Sequence, residues 1–526
     1  MTTAVGTIAQ PLRSGLGSAF GVILILLAWD LAARATAGSF VLAAPAEVLN
    51  WLVANRGLMG RALAETLANA AAGFVIGNLA AILLAVVALA WPRAERAVMN
   101  LALLIFCLPL VATGPILRVL LGPGDGPQIW LAALAVYYTT LVPLMVGLRA
   151  APASWLDLVR IYGRGRWTEI VRVRARAALP YLFAGLQIAA PAAFLGAMVG
   201  EFTGAERGMG VLTVRFIRAM DVPAIWALAC VAALVSILVF AAIGWLARFV
   251  LDEKPPVIIA PAQAVGALGV TARMLRTLTL AVLALALWWA VIQIAQLNPF
   301  FAKGPDDVAR ALLSAPDAAE TRARLGTALV ETAVYVVPGW AAGLGLGAAI
   351  AIVLILFPPI AAVAMPVAVA LRAIPIVTTA PLIVLVLGRG AVGTISLVAV
   401  MVFFPSLVAC LHGLRQAPGQ IMDVFDSYAA GPVSRLIHVR IPAMLPAFFA
   451  SARMSVPAAI LAVTVVEWLA TGRGIGSLMA LSASLSEYDM LWSAIMATAV
   501  LAVLFHAGVS ALERVVLART APEQVG

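Results

Sequence analysis

The stretch "DLVRIYGRGRWTEIVRVRARAALP", Asp157 to Pro180, has a double in the same chain: "DVFDSYAAGPVSRLIHVRIPAMLP", Asp423 to Pro446. Each runs from an aspartate to a Leu-Pro 23 residues later, and the two lie 266 residues apart. Each reads as a short amphipathic helix, a break at a small residue (Gly163 or Ala429), and a proline in the first turn of a new apolar helix. Glycine permits the turn, and proline is tolerated where the helix has no N–H to bond. The first copy is also a basic island, with six arginines between Arg160 and Arg176.

Working outward, the same shift superimposes much of the chain on itself. "CLPLVATGPILRVLLG" (Cys107 to Gly122) meets "AIPIVTTAPLIVLVLG" (Ala373 to Gly388). "VGLRAAP" (Val146 to Pro152) meets "HGLRQAP" (His412 to Pro418), and "GEFTGAERGMG" (Gly200 to Gly210) meets "VEWLATGRGIG" (Val466 to Gly476). Glu65-Thr66 meets Glu331-Thr332 without a gap. Upstream, "FVLAAPAEVL" (Phe40 to Leu49) meets "FFAKGPDDVA" (Phe300 to Ala309) at a shift of 260. The chain is a duplicate of itself.

Composition fixes the solvent. The 526 residues are 64% hydrophobic and 11% charged, with a mean hydropathy of +1.07. A soluble domain is about half apolar and a quarter charged. Long unbroken apolar runs, such as Phe20 to Ala33 and Ala281 to Ile294, indicate helices; a β-barrel would alternate in short segments. The expectation is an all-α integral membrane protein of about 12 transmembrane helices in two six-helix repeats. In the first repeat the helices fall near 19–36, 62–90, 97–121, 128–149, 181–203 and 223–250. In the second they fall near 275–297, 327–356, 360–387, 392–414, 446–469 and 489–517. The repeats are residues 1–252 and 274–526. The Pro-, Ala- and Gly-rich segment 253–273 reads as a cytoplasmic linker.

Six is even, so both repeats enter from one side and are parallel, related by an axis along the membrane normal. The net charge of +10 lies in loops between membrane segments, which reads as positive-inside topology and excludes an independent nucleic-acid-binding domain. "WPRAERA" (Trp91 to Ala97) is basic whereas "GPGDGPQ" (Gly122 to Gln128) carries no positive charge. The island and both termini are therefore expected to be cytoplasmic. The N-terminal apolar run reads as an uncleaved first helix, since a matching one opens the second half, although a cleavable signal is conceivable. Cys107, Cys230 and Cys410 have no CxxC spacing and lie in apolar segments, and His412, His438 and His506 are scattered, so no metal site is expected.

The doubled stretch resembles the "EAA" loop of permease subunits of binding-protein-dependent ABC importers, nearest to the nitrate, sulfonate and taurine type. Gly163, Arg166, Trp167, Leu179 and Pro180 match that type in the first copy, and Ile441, Pro442 and Pro446 in the second. "LRAIP" (Leu371 to Pro375), and Glu201 and Glu467 each followed by a Gly-x-Gly, are similar to further marks of the family. There are departures: the acid is Asp157 or Asp423 rather than Glu, the Ala-Ala pair is missing, Arg176 replaces a proline, and Ala429 replaces the glycine. The resemblance implies a type I importer permease fold with loops near 150–180 and 416–446 docking two cytoplasmic ATPase subunits. Asp157, Gly163, Arg164, Arg166, Trp167, Asp423, Ala429 and Arg435 are the docking candidates. Arginines there can pair with acidic groups on a partner or with anionic membrane lipid. It further implies a periplasmic solute-binding protein and residence in a bacterial inner membrane.

No phosphate-cradling G-x-x-x-x-G-K-[ST] is present, and the only lysines, Lys254 and Lys303, lie in other contexts. The chain is not expected to be an enzyme or to bind a cofactor; ATP and Mg would sit on the ATPase. Arg372 lies mid-helix opposite Phe106 of the first repeat, and Arg453 lies opposite Gln187. A charge at bilayer depth usually faces a cavity or partner. Either these give a positively biased pathway suited to a small anion such as nitrate, a sulfonate or a taurine-like acid, or the arginines are structural. Pro109 and Pro375 break or kink the third helices, which places helices three and five along the pathway. Glu201 and Glu467 either pair with Arg207 and Arg473 to stabilise a gate, or receive the binding protein. The alternative is an ion-coupled secondary transporter with duplicated halves, which would want carboxylates at mid-bilayer.

Overall fold

The computed structural model describes residues 23, 26–36, 42–91, 94–251, 270–294, 296–357, 360, 380, 383–384, 386–388 and 390–520. Among them there is no strand. The first half runs α1 (26–35), α2 (Pro45–Ala54), α3 (Arg56–Ala90), α4 (Glu95–Phe106), α5 (Leu110–Leu121), α6 (Gly126–Arg149), α7 (Ala153–Ile161) and α8 (Arg166–Thr168). A π-helical stretch, Glu169–Arg174, then leads into α9 (Ala175–Phe202), followed by α10 (Met209–Ala219) and α11 (Val222–Val250). The second half runs α12 (Val270–Ile294), α13 (Pro305–Leu313), α14 (Ala318–Leu356), α15 (Ala391–Arg415), α16 (Gly419–Ser427) and α17 (Pro432–Arg435). A second π stretch, Leu436–Arg440, precedes α18 (Ile441–Met454) and α19 (Val456–Val466), and a third, Glu467–Thr471, precedes α20 (Gly474–Ser484) and α21 (Tyr488–Thr520).

The two halves pack alike. α6 lies between α3 and α9 in the first half, and α15 lies between α14 and α18 in the second. Small residues permit this closeness. A Cβ added at Gly73 would sit 2.3 Å from the Ala132 Cβ, and one at Gly339, its counterpart, 2.6 Å from the Val398 Cβ. In a bilayer, where lipid is as apolar as leucine, such close backbone approach is what drives helices together. The halves also share a core. α5 touches α19, α20 and α21, and Cys107 and Val199 join a buried cluster with Val336, Ala459 and Val463. Ile116 packs with Ile475, Met479 and Leu491.

Eight helices among the described residues are individually long and apolar enough to cross a membrane, or nine if a bent pair counts as one span. The expected third helix of the first half divides at Cys107–Pro109 into two twelve-residue pieces, α4 and α5, because Pro109 takes extended backbone (φ −68°, ψ 113°) ahead of α5. Most of its counterpart, residues 361–379 with Arg372 and Pro375, lies outside the described residues, as do the expected positions 19–22 and 24–25 of the first helix. α12 begins at Val270, inside the stretch read as linker; 252–269 lie outside the described residues.

The prolines ending the doubled loops sit differently from expectation. Pro180 lies inside α9 and Pro446 inside α18, not in a first turn, because both stems begin earlier, at Arg166 and Pro432. Each stem passes first through a π-helical stretch, a wider turn that often marks functional positions in helices. Helix five is continuous from Glu169 to Phe202 in the first half, whereas Ser455 interrupts it in the second.

Candidate functional site

Each half projects one helical hairpin at the end of the α6 or α15 span. In the first, α7 ends in a left-handed Gly163 (φ 64°), with the Gly163 N–H bonded to the Arg160 carbonyl and the Arg164 N–H to the Val159 carbonyl. In the second, Ala429 takes the same left-handed turn (φ 49°), with bonds from Ala429 to Asp426 and from Ala430 to Phe425. These are the paired 5→2 and 6→1 bonds that close a helix C-terminus. Glycine takes this conformation freely and alanine does so with strain, so the second hairpin keeps the shape without the preferred residue.

The outward face of each hairpin is apolar as well as charged. Trp155, Leu158 and Tyr162 are exposed on α7 and its C-terminal turn, and Ile421, Val424 and Tyr428 are exposed at the same three positions of the second hairpin. The spacing i, i+3, i+7 puts each triplet on one helix face. Tyr162 is 74% and Tyr428 82% exposed, so neither ring is packed away among the described residues. Sequence reading picked out the charges and missed this stripe, although the 266-residue shift carries it. Of the charged candidates, Asp157, Arg164 and Asp423 are exposed, as is Trp167. Arg166 opens the short helix α8. Arg435 turns back onto its own hairpin instead, pairing with Asp426 and donating from Nε to the Ala430 carbonyl at 2.9 Å.

The opposite ends of the fifth helices carry a second doubled device. Glu201 is 1% exposed and Glu467 2%. Glu201 accepts from Thr66 Oγ1 at 2.7 Å and from the Gly210 N–H at 2.6 Å, while Thr66 Oγ1 in turn accepts from the Met209 N–H at 2.9 Å. Glu467 repeats this with Thr332 at 2.7 Å and Gly476 at 2.9 Å, and Thr332 accepts from the Ile475 N–H at 2.9 Å. The Gly-x-Gly that follows each glutamate is thereby explained. A Cβ on Gly208 or Gly474 would fall within 2.2 Å or 2.1 Å of the carboxyl group. Each carboxyl caps the free N–H groups at the start of α10 or α20 and ties that helix to α3 or α14. The expected pairings with Arg207 and Arg473 do not form: Arg207 instead borders an outer cavity of about 360 Å³ with Glu65, Arg118, Asp125, Gln128 and Glu206, and Arg473 is exposed. Burial also removes both glutamates from any surface that could receive a partner.

The pathway candidates divide. Phe106 stacks on Tyr138 with ring centroids 4.8 Å apart, and Pro109 marks the break between α4 and α5. Gln187 donates to the Phe240 carbonyl at 3.4 Å. Its counterpart Arg453 pairs with Glu513 of α21, whose own counterpart is Ala247. Sequence reading missed Glu513, though the shift that sets Arg453 over Gln187 also sets Glu513 over Ala247. The second half thus carries a buried ion pair where the first carries a neutral amide, and Arg453 is not an unpaired positive charge.

A helical membrane bundle built twice, with one protruding hairpin per half and a core shared between the halves, defines a duplicated multi-pass permease. The family model for the binding-protein-dependent transport system inner membrane component matches twice, over residues 77–252 and 341–519, and the chain belongs to that family. A probable ABC transporter permease protein of Haemophilus influenzae is 34% identical over 137 residues, 26% of this chain and 56% of that relative. That match therefore spans little more than half of the relative. The formylaminopyrimidine transport permease protein of Halalkalibacterium halodurans is 27% identical over 44% of this chain and 93% of its own length. The taurine transport system permease protein of Escherichia coli is 25% identical over 45% of this chain and 86% of its own. One such relative thus covers about one half of the present chain, in keeping with the duplication, and their names are those of transport permeases rather than enzymes. No solved structure gives a significant match.

Proposed function

We propose that this chain supplies both membrane halves of an ATP-driven importer. The observation that carries the reading is the pair of exposed apolar stripes, Trp155/Leu158/Tyr162 and Ile421/Val424/Tyr428, one on each hairpin at the same three positions. Two copies of one docking surface on one chain suit two copies of a cytoplasmic ATPase, which would hold the ATP and Mg. A separate solute-binding protein would deliver cargo from the far side. Co-expression with a candidate ATPase, followed by mass measurement of the detergent-purified complex and an assay of Mg-ATP hydrolysis, tests this. One permease chain with two ATPase copies is expected; no bound ATPase would bring the ion-coupled transporter forward.

For the solute, we propose a small anion such as nitrate, a sulfonate or a taurine-like acid. The taurine permease of Escherichia coli supports it, while the formylaminopyrimidine permease argues for breadth. With Arg453 paired to Glu513, the positive bias rests on Arg372. Arg372→Ala should lower anion uptake at least tenfold in reconstituted vesicles; unchanged uptake removes the anion reading.

A further inference from the structure

Arg160, at the end of α7, bonds through Nε to Oε1 of Glu169 at 2.9 Å, and Glu169 is the first residue of the π-helical start of the stem. Asp157 also lies 3.5 Å from Arg160. A shift of 266 carries Arg160 onto Asp426 and Glu169 onto Arg435, and these two are paired as well. One contact therefore exists twice with its polarity reversed.

Helix dipoles make the reversal informative. In the first hairpin the base sits at a helix C-terminus and the acid at a helix N-terminus, so each charge is favourable where it stands. In the second, Asp426 sits near the C-terminus of α16 and Arg435 in the first turn of the stem, so each charge stands at the wrong end. Independent placement of single charges does not explain Asp426 or Arg435. Only their attraction to each other does. Elsewhere in the hairpins the charges have drifted: outside the pairs, residues 153–168 carry Asp157, Arg164 and Arg166, whereas 419–434 carry Asp423 alone. The pairing has survived this drift.

Each pair spans the left-handed turn at Gly163 or Ala429 that joins the short helix to its stem. We propose that Arg160–Glu169 and Asp426–Arg435 are positioning pairs that fix the angle between each short helix and its stem, and that the pairing rather than its sign is what the fold requires. The inference rests on the docking reading for its purpose: an ATPase pushing on the short helix moves the stem only if the angle between them is held.

The test uses the whole chain in nanodiscs, with the native cysteines replaced. Spin labels go on Ser154 and Val171 in the first hairpin, and on Gln420 and Ile437, the same positions, in the second. E169R should broaden the 154–171 distance distribution and leave 420–437 unchanged; D426R should do the reverse. The exchanged pairs R160D/E169R and D426R/R435E each give one half the other half's natural polarity, and each should restore the narrow distribution. Arg160 and Asp426 are 61% and 52% exposed, whereas Glu169 and Arg435 are 11% and 30% exposed, so R160E, a reversal at the exposed member, accompanies E169R: it should broaden the 154–171 distribution in the same way while the thermal unfolding midpoint stays at the wild-type value. A distribution unaltered by charge reversal, or one the exchange fails to restore, overturns the proposal. With a co-purified ATPase, the single reversals should lower Mg-ATP hydrolysis by the complex at least threefold and the exchanges should recover it. If no ATPase binds even the wild-type chain, the docking reading fails, while the distance measurements still decide whether the pairs set the angle.

Discussion

Among the described residues the buried charges are tied down, and the two halves tie them differently. Arg453 and Glu513 sit between α18 and α21 with side chains 15% and 5% exposed. Removing one member of a buried pair strands the other, at a cost of about 3–5 kcal/mol, whereas replacing both by well-fitting neutral residues is often harmless. The first half supplies the replacement: Gln187 and Ala247 occupy the same two positions. R453Q alone should therefore destabilise the protein by about 3–5 kcal/mol, read as a lowered unfolding midpoint in detergent. R453Q/E513A should recover most of the loss. A double variant no better than the single would mean that Arg453 is needed for something besides Glu513, and would return it to the list of pathway charges. The two clamp glutamates illustrate what a sequence can and cannot disclose at this scale. Glu201 and Glu467 were visible as paired, special positions because each precedes a Gly-x-Gly at the same spacing. Their partners were not, because Thr66 and Thr332 lie 135 residues upstream, and the nearby arginines were the obvious electrostatic choice. The duplication held the signal, since Thr66 and Thr332 are also superimposed by the shift.

Among elements, close helix packing is the feature most open to a single substitution. α3 approaches α6 at Gly73 so tightly that an added methyl group would overlap the Ala132 Cβ and come within 2.6 Å of the Ile129 carbonyl. The surface it meets is a Cβ fixed to the chain and two backbone atoms, none of which can swing aside. Gly73→Ala should therefore cost about 1–3 kcal/mol as overpacking. Gly345→Ala on α14 is the matched control: nothing lies within 4 Å of its added Cβ, so the substitution should be neutral or gain up to about 1 kcal/mol from helix propensity. Thermal unfolding of the two variants side by side checks the pair, and equal effects would mean that the α3–α6 contact gives way more easily than its geometry implies. The same elements mark the limits of periodicity. Long spans such as α3, α6, α9 and α11 were legible because their apolar runs exceed what a soluble helix needs. The short α2, α10, α13 and α20 were not, because 9 to 11 residues flanking a membrane segment merge with it on any hydropathy count. Reading proline as a helix beginning puts the starts of both stems too late, at Pro180 and Pro446 instead of Arg166 and Pro432; the π-helical turns before them carry no residue pattern that composition reveals.

At the scale of the whole molecule, parallel duplication makes a demand that an inverted repeat does not. If the halves are related by an axis along the membrane normal, the two hairpins must emerge on one side and the α10 and α20 ends on the other. The helical order supports this: in each half a hairpin follows α6 or α15, a continuous or once-interrupted fifth helix crosses back, and a short helix capped by a buried glutamate lies at its far end. The prediction is read by single cysteines in a background lacking Cys107, Cys230 and Cys410. Ser154→Cys and Gln420→Cys, both exposed on the hairpins, should react with a membrane-impermeant maleimide only in inverted vesicles. Glu206→Cys and Ser484→Cys, both exposed near the opposite ends, should react only from outside. Labelling of the two hairpins from opposite sides would break the parallel arrangement, and with it the idea that one chain offers two equivalent docking surfaces. Labelling of both hairpins from outside would keep the arrangement but reverse the orientation drawn from the basic loops. Same-side labelling from within would place Tyr162 and Tyr428, each exposed, where a pair of cytoplasmic subunits could reach both at once.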